Sequence, residues 1–172
     1  MKRSSIGHLN CSVARALEVV GEWWTPMIVR EVFFGRRRFS EMQKDLGIAK
    51  NILSDRLVTL VRNGVLERHI DTTNARHPEY RLTEKGADLF PLVVALMQWG
   101  DRWQSDGAGP PIQLVDVTTD EPVEPMLVDR RTGREIDHRG IELRRGPGWS
   151  QVATENATVF ARPAELQTQR LA

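Results

Sequence analysis

Four polar residues on one short segment carry the side chains that proteins use to contact duplex DNA. They are Lys50, Asn51, Ser54 and Arg56. Asparagine can pair bidentately with adenine, and lysine or arginine with guanine, while all four side chains can also contact phosphates. We therefore predict that this segment presents a polar face to DNA. The opposing interpretation is that the face is merely solvated.

The surrounding pattern predicts the elements that hold this face. Apolar residues recur along the same segment at helical spacing, at Ile52, Leu53, Leu57, Leu60 and Val61. A shorter helix is predicted before it, ending at Leu46, with a break at Gly47-Ile48. Two strand-like runs follow, Val65 to Ile70 and Glu79 to Leu82. Helix, turn, helix and hairpin in this order predict a winged helix-turn-helix over residues 39–86.

Two further groups of basic or polar residues are candidates for DNA contacts. The loop of the predicted hairpin contains Asn74 and Arg76, which could contact an adjacent groove or the backbone. The run Arg36-Arg37-Arg38 precedes the first of the two helices, and from it we select Arg38 as a phosphate contact. A solvated turn is the alternative for this run. Winged helices also dock proteins, so a protein-interaction module without DNA binding is the alternative function.

Composition and charge narrow the class of protein. The chain has 172 residues, 40% of them hydrophobic, which is enough for a real core. No apolar run is long enough to cross a membrane, so we expect an intracellular protein with no membrane partner. Residues 1–104 contain 16 Lys/Arg against 12 Asp/Glu, whereas residues 105–172 contain 8 against 11. Residues 1–104 therefore present more positive charge to a polyanion than residues 105–172 do.

The pattern predicts a mainly α fold, an α+β winged helix-turn-helix with a small C-terminal β appendage. We assign residues 1–104 to the DNA-binding and dimerisation domain and the Gly/Pro/Ser-rich residues 105–111 to a linker. Residues 112–149 are predicted to form a small β extension, and residues 150–172 a mobile tail. The last helix of the first domain is predicted to run from Glu84 to about Gln104, with Pro91 kinking it or marking its true start.

This last helix contains more large apolar residues than one winged domain needs. We predict that a dimer interface forms from its seam together with the first helix, at Leu17, Leu92, Leu96, Trp99 and Trp103. The alternative is that some of the tryptophans fill the core of the monomer. A two-fold dimer would present two DNA-contacting helices about 34 Å apart to a pseudo-palindromic site.

Several motifs resemble those of the HxlR-type bacterial transcription regulators. They include Cys11-Ser12-Val13-Ala14-Arg15-Ala16-Leu17, Gly21-Glu22-Trp23-Trp24-Thr25, Arg38-Phe39-Ser40-Glu41-Met42, Pro78-x-Tyr80-x-Leu82-Thr83-x-x-Gly86 and Trp99-Gly100. The resemblance covers roughly residues 8–104. It implies a homodimer joined through its N- and C-terminal helices, acting in the bacterial cytoplasm, usually as a repressor of an adjacent gene.

The resemblance also marks Cys11, because similar regulators sense oxidants or electrophiles through a cysteine at this position. A thiol at a helix N-terminus favours the reactive thiolate, although this chain has Ser12 where the family often has proline. A buried, inert cysteine is the alternative. We expect a repressor that responds to oxidants, electrophiles or a small-molecule effector. We expect no enzyme activity, because Cys11 and His8 lack a third catalytic member, and no metal or cofactor.

Overall fold

The computed structural model describes residues 5–70, 78–105, 107 and 109–148. The chain divides into two compact units, one formed by Ala16–Pro111 and the other by Met1–Arg15 together with Ile112–Ala172. The elements of the first unit are mainly helical, with a two-stranded antiparallel sheet. The predicted mainly α class with a small β wing is confirmed.

Two helices open the fold. Helix α1 spans Ser12–Val20, and helix α2 spans Trp24–Phe33. Pro26 lies in the first turn of α2, where its missing N–H costs no helical hydrogen bond. Helix α2 is the centre of the core, because Ile28 and Val29 are almost completely buried and the helix contacts α3, α4, α6 and the sheet.

The helix-turn-helix follows. Helix α3 spans Phe39–Leu46 and helix α4 spans Lys50–Arg62, joined through Gly47 in the left-handed conformation at φ 60°. The carboxylate of Glu41 accepts hydrogen bonds at 3.0 Å from the backbone amides of Arg37 and Arg38, which caps the start of α3. Apolar side chains of α4 pack into the core with those of α2 and α3, at Leu53, Leu57 and Leu60.

The wing is an antiparallel pair of short strands, as predicted. Strand β1 spans Leu66–His69 and strand β2 spans Glu79–Leu82, with Leu66 opposite Leu82 and His69 opposite Glu79. The segment before α3 also joins this sheet, since Tyr80 donates a backbone hydrogen bond to the carbonyl of Arg37 at 2.8 Å. The wing is thereby held against the start of α3.

Helix α5 spans Glu84–Ala87, and its first turn packs against the wing at Gly86. The hydroxyl of Thr83 caps α5 by accepting from the Gly86 amide at 3.1 Å and donates to the carbonyl of Gly64 at 2.6 Å. A Cβ on Gly86 would lie 2.1 Å from the carbonyl oxygen of Val65 and 3.0 Å from the side chain of Leu82. Only glycine fits this contact without a backbone shift.

We expect Gly86→Ala to lower the free energy of unfolding by about 2 kcal/mol, because the backbone of the wing must move away from α5. The matched control is Gly100→Ala, at a helical position where an added Cβ meets nothing within 4 Å. That variant should gain about 0.8 kcal/mol from helix propensity. Urea unfolding of the two variants measures both values, and equal effects would contradict the close packing at Gly86.

Helix α6 spans Phe90–Trp103, and Pro91 occupies its first turn. Of the two roles predicted for Pro91, the structure shows the start of a helix and not a kink, because the turn at Asp88–Leu89 separates α5 from α6. Val93 and Val94 are buried, and Val93 belongs to the core cluster. Met97 packs against this cluster, whereas Leu92, Leu96, Trp99 and Trp103 are exposed.

In the second unit, residues 112–148 form turns closed by isolated antiparallel bridges, Val115 with Pro122 and Val128 with Glu135, and one 3-10 turn, His138–Gly140. The strands that the sequence suggests here do not extend beyond single bridges. Pro122 and Pro125 lack the amides that a ladder requires. No residue between 112 and 148 is buried. Residues 149–172, including the predicted tail, lie outside the described residues.

Candidate nucleic-acid interface

The start of α4 presents an exposed polar surface. Lys50, Asn51 and Ser54 are all exposed, and none of them has a side-chain partner among the residues that the structure describes. The N-cap of α4 is Ala49, which has no side-chain acceptor, so the first amides of the helix have no cap. Free amides and a lysine at a helix N-terminus suit phosphate oxygens. These features support the predicted DNA-contacting face.

Arg56 has different surroundings from the other residues of that prediction. Its side chain is 28% exposed, and Nη2 lies 3.8 Å from Oε2 of Glu22, in the turn between α1 and α2. Its Nε is buried and has no hydrogen-bond partner in the described part of the chain. A contact from Arg56 to DNA therefore requires the guanidinium to turn away from Glu22.

We expect Glu22→Gln to strengthen DNA binding about threefold, because it frees Arg56 and removes a carboxylate near the helix that approaches phosphates. Titration of a labelled duplex measures the change. The gain should vanish in an Arg56→Ala background, since the two residues act through one contact. A gain that persists there would show that Glu22 acts independently of Arg56.

Two of the three arginines before α3 pair with carboxylates of the fold. Arg36 donates through Nε to Asp45 at 2.5 Å, and this hydrogen bond raises the pKa of its guanidinium. The predicted phosphate ligand Arg38 is exposed, with Nη2 3.8 Å from Glu79 of the wing. Arg37 is exposed with no side-chain partner among the described residues, and no sequence pattern distinguished it from its neighbours.

The wing adds one cation that sequence reasoning missed. Arg68 lies in β1, exposed, and its guanidinium has no partner among the described residues, whereas Arg81 on β2 donates to Glu79 at 3.1 Å. No alternation marks Arg68, because β1 is buried at Leu66 and exposed from Glu67 to His69. The other predicted wing contacts, Asn74 and Arg76, lie outside the described residues.

A second surface is apolar and unusually open. The predicted interface residues are exposed by 38% to 61%: Leu17, Leu92, Leu96, Trp99 and Trp103. The four on α6 follow one another at spacings of four, three and four residues, so they share one face of the helix. The alternative that these two tryptophans fill the core of the monomer is wrong. Trp24, by contrast, does pack against the core.

Cys11 is partly exposed and lies immediately before α1. Its backbone carbonyl accepts from the amide of Arg15 at 3.1 Å. The guanidinium of Arg15 donates to the hydroxyl of Ser12 at 2.9 Å. Ser12, at the position where the family often has proline, therefore binds the side chain of Arg15.

Comparison with known proteins identifies the fold. The model of the HxlR-like helix-turn-helix family matches residues 19–108, more than half of the chain. The chain belongs to the HxlR-like helix-turn-helix family. Three curated relatives, from Mycobacterium bovis and two strains of Mycobacterium tuberculosis, are 46% identical over 138 residues, 80% of this chain and 87% of theirs. They are named uncharacterized HTH-type transcriptional regulators. Since 138 exceeds the 111 residues that precede the extension, this similarity reaches into the second unit.

Several solved structures of transcription regulators also resemble this chain. PA1607, named a candidate transcription factor, is 38% identical with a TM-score of 0.75, covering 83% of this chain and all of that one. PA1374 of Pseudomonas aeruginosa is 35% identical with a TM-score of 0.56, covering 84% and 99%. The redox regulator HypR in its reduced form is 26% identical with a TM-score of 0.50, covering 54% and 95%.

The site geometry and these relatives indicate the same class of protein. The protein is a transcription regulator with a winged helix-turn-helix DNA-binding domain, and its family and relatives are regulators, not enzymes. Within the described residues no helix is long and apolar enough to span a membrane.

Proposed function

We propose that the protein is a dimeric repressor that binds a pseudo-palindromic operator. The observation that carries the proposal is the start of α4, where Lys50, Asn51 and Ser54 are exposed and without side-chain partners in the described structure. The same helix is fixed in the core by Leu53 and Leu57. A rigid helix with an open polar first turn suits the major groove.

The neighbouring cations would set the position of the protein on the duplex. Arg37 precedes α3 and Arg68 lies on the wing, and both are exposed. Arg38, Arg56, Asn74 and Arg76 remain predicted contacts. Contacts to phosphates fix register without reading sequence, so we assign sequence readout to Asn51 and its neighbours on α4.

The dimer is supported by the apolar face on α6. Leu92, Leu96, Trp99 and Trp103 form a seam that solvent would otherwise cover, and aromatic residues are enriched at the centres of interfaces. Leu17 adds an exposed apolar position on α1. Two-fold pairing through these helices would place two copies of α4 about one turn of DNA apart, roughly 34 Å.

A footprint on the DNA upstream of its own gene tests the proposal. We expect protection of two half-sites one helical turn apart, and less transcription from that promoter in vitro when protein is added. Binding should weaken steeply with salt, because phosphate contacts release counterions. A protein-interaction module would give no footprint. We further propose the bacterial cytoplasm as the location of this protein, because a regulator of this kind acts on chromosomal DNA.

We further propose that oxidation of Cys11 weakens operator binding. Two observations support this: Cys11 is partly exposed directly before α1, and the similar HypR is named a redox regulator. Hydrogen peroxide would transfer one oxygen atom to the thiolate as its O–O bond breaks, giving sulfenic acid and hydroxide. A small-molecule effector is a second possible input to which the structure assigns no residues.

We expect peroxide to raise the Kd of the wild type for operator DNA about tenfold, a typical allosteric coupling, and to leave Cys11→Ser unchanged. Operator titrations with and without peroxide, followed by reduction with dithiothreitol, measure the effect. Because the chain has one cysteine, the serine variant is a complete thiol-free control. Equal responses of the two proteins would remove Cys11 from the mechanism.

A further inference from the structure

The second unit contains a tight hairpin whose tip is rich in arginine. Val128 and Glu135 form its bridge, and the backbone closes above them, with the amide of Asp129 donating to the carbonyl of Arg134 at 2.9 Å. The amide of Gly133 donates to the carbonyl of Asp129 at 2.7 Å. We call residues 129–134 the arginine hairpin.

The turn is fixed by the side chain of Asp129. Its Oδ1 accepts from the amide of Arg131 at 2.9 Å, and its Oδ2 accepts from the hydroxyl of Thr132 at 2.8 Å. These bonds, that from Thr132 first, hold the pKa of Asp129 below its ordinary value. Both carboxylate oxygens are therefore used to shape the loop, and neither pairs with an arginine side chain.

The arginines of the hairpin differ from the others nearby. Arg130, Arg131 and Arg134 are exposed, and their guanidinium groups have no hydrogen-bond or ion-pair partner among the described residues. Arg139 and Arg144, farther along the same unit, are paired with Asp137 at 2.9 Å and Glu142 at 2.8 Å. The hairpin has three arginines against one aspartate, whereas residues 112–128 have four acidic and no basic residues. Positive charge is thus concentrated at the tip.

We propose that the arginine hairpin is a second DNA contact, binding backbone phosphates of the duplex outside the bases that α4 reads. Guanidinium groups match phosphate oxygens in fork geometry, and a preformed turn loses little entropy on binding. This inference rests on the proposed function, which brings the same polyanion to the chain. Once α4 holds the duplex, contact by the hairpin is intramolecular and occurs at high effective concentration.

The test compares Arg130→Gln/Arg131→Gln with the matched control Arg139→Gln/Arg144→Gln. Both doubles remove two arginines from the same unit at exposed positions, but only the first removes unpaired ones. The full-length proteins are titrated with a labelled duplex of about four helical turns from the upstream region of the gene, and with a random duplex of equal length. Each titration is repeated across a range of salt concentrations.

We expect the hairpin variant to bind both duplexes about tenfold more weakly, and its salt slope to fall by about 2 per chain. The control double should keep the slope of the wild type, and thermal melts of the two variants should coincide. A wild-type slope for the hairpin variant would overturn the inference and leave the hairpin as a solvated turn or a site for an acidic protein. An equal fall in both doubles would overturn it too.

These outcomes are separate from the fate of the proposed function. If the wild type does not prefer the upstream duplex to the random one, sequence-specific regulation through α4 fails, whatever the hairpin does. If the wild type shows the preference and the hairpin variant keeps full affinity and slope, the regulator stands and only the second contact fails.

Discussion

Replacing both Lys50 and Asn51 by alanine is expected to weaken operator binding about 100-fold, because each residue contributes a phosphate or base contact worth about 1–3 kcal/mol. Both side chains lie at the exposed first turn of α4 and have no partner among the described residues, so their loss should leave the core unchanged. The same variant should lose less affinity for random DNA than for the operator, because only the phosphate contact of Lys50 is lost there and the other cations remain. Operator and random-duplex titrations measure the two affinities.

Arg62→Ala is the matched control for this prediction. Arg62 is exposed on the last turn of α4, so the substitution removes one positive charge from the same helix, as Lys50→Ala does. It should change operator binding by less than about threefold, the effect of a screened long-range charge. If Arg62→Ala and Lys50→Ala were equivalent, general electrostatics rather than the first turn of α4 would explain binding.

The second large effect concerns the dimer. We expect Leu96→Glu to raise the dimer dissociation constant by at least about 100-fold, because two unpaired carboxylates would be buried near the two-fold axis. Leu96 is 51% exposed in the single chain, in the middle of the α6 seam, so the fold of each protomer should survive. Sedimentation equilibrium across nanomolar to micromolar protein measures the constant directly.

Val117→Glu controls for the introduced charge. Val117 is 99% exposed in the second unit, so the same carboxylate is placed on an apolar residue with no packing to lose. This variant should sediment as the wild type does. A Leu96→Glu protein that remains dimeric would show that α6 does not form the interface.

Operator binding distinguishes the effects expected in these two predictions. A monomer can occupy one half-site but loses the gain from binding two linked half-sites at once. Leu96→Glu should therefore bind a single half-site as the wild type does and bind the full operator far more weakly. Lys50→Ala/Asn51→Ala should weaken both. The pattern across the two duplexes separates loss of pairing from loss of DNA contact.

The helix-turn-helix was predictable because its local signals agree. Gly47 ends α3 in a conformation that glycine favours, and apolar spacing from Leu53 to Leu60 identifies the buried face of α4. Once that face is known, the exposure of Asn51 follows from helical geometry. Lys50 has the spacing of Leu53 and Leu57 and is exposed because it is the first residue of the helix. The sequence alone could therefore place Asn51 in solvent, although its contact with DNA stays a prediction.

The ion pairs of the arginines could not be predicted in the same way. Arg36 pairs with Asp45, nine residues away. Arg56 pairs with Glu22, which is far from it in the sequence. Such pairs depend on how α2, α3 and α4 pack, and no local pattern encodes that. The same holds for Arg38 and the wing residue Glu79. Sequence reasoning could not separate the paired arginines from the free ones.

The start of α3 shows a smaller difference of the same kind. Spacing favours Ser40 as its N-cap with Gln43 three positions later. In the structure α3 begins at Phe39, and Glu41 supplies the capping carboxylate. Pairing of the Arg37 carbonyl with Tyr80 of the wing holds the chain extended up to Arg38, which fixes the first helical residue. A tertiary contact thus overrides a local preference.

The uncapped start of α4 has an evolutionary consequence. Serine or aspartate at position 49 would stabilise the isolated protein by about 1 kcal/mol, because its side chain would accept from the first amides of the helix. The same oxygen would compete with any phosphate for those amides, and aspartate would repel it. Mutants selected for heat resistance alone should therefore acquire a cap at position 49 and lose regulation. We expect alanine at position 49 to leave those amides available to a phosphate, at a small cost in the stability of the protein.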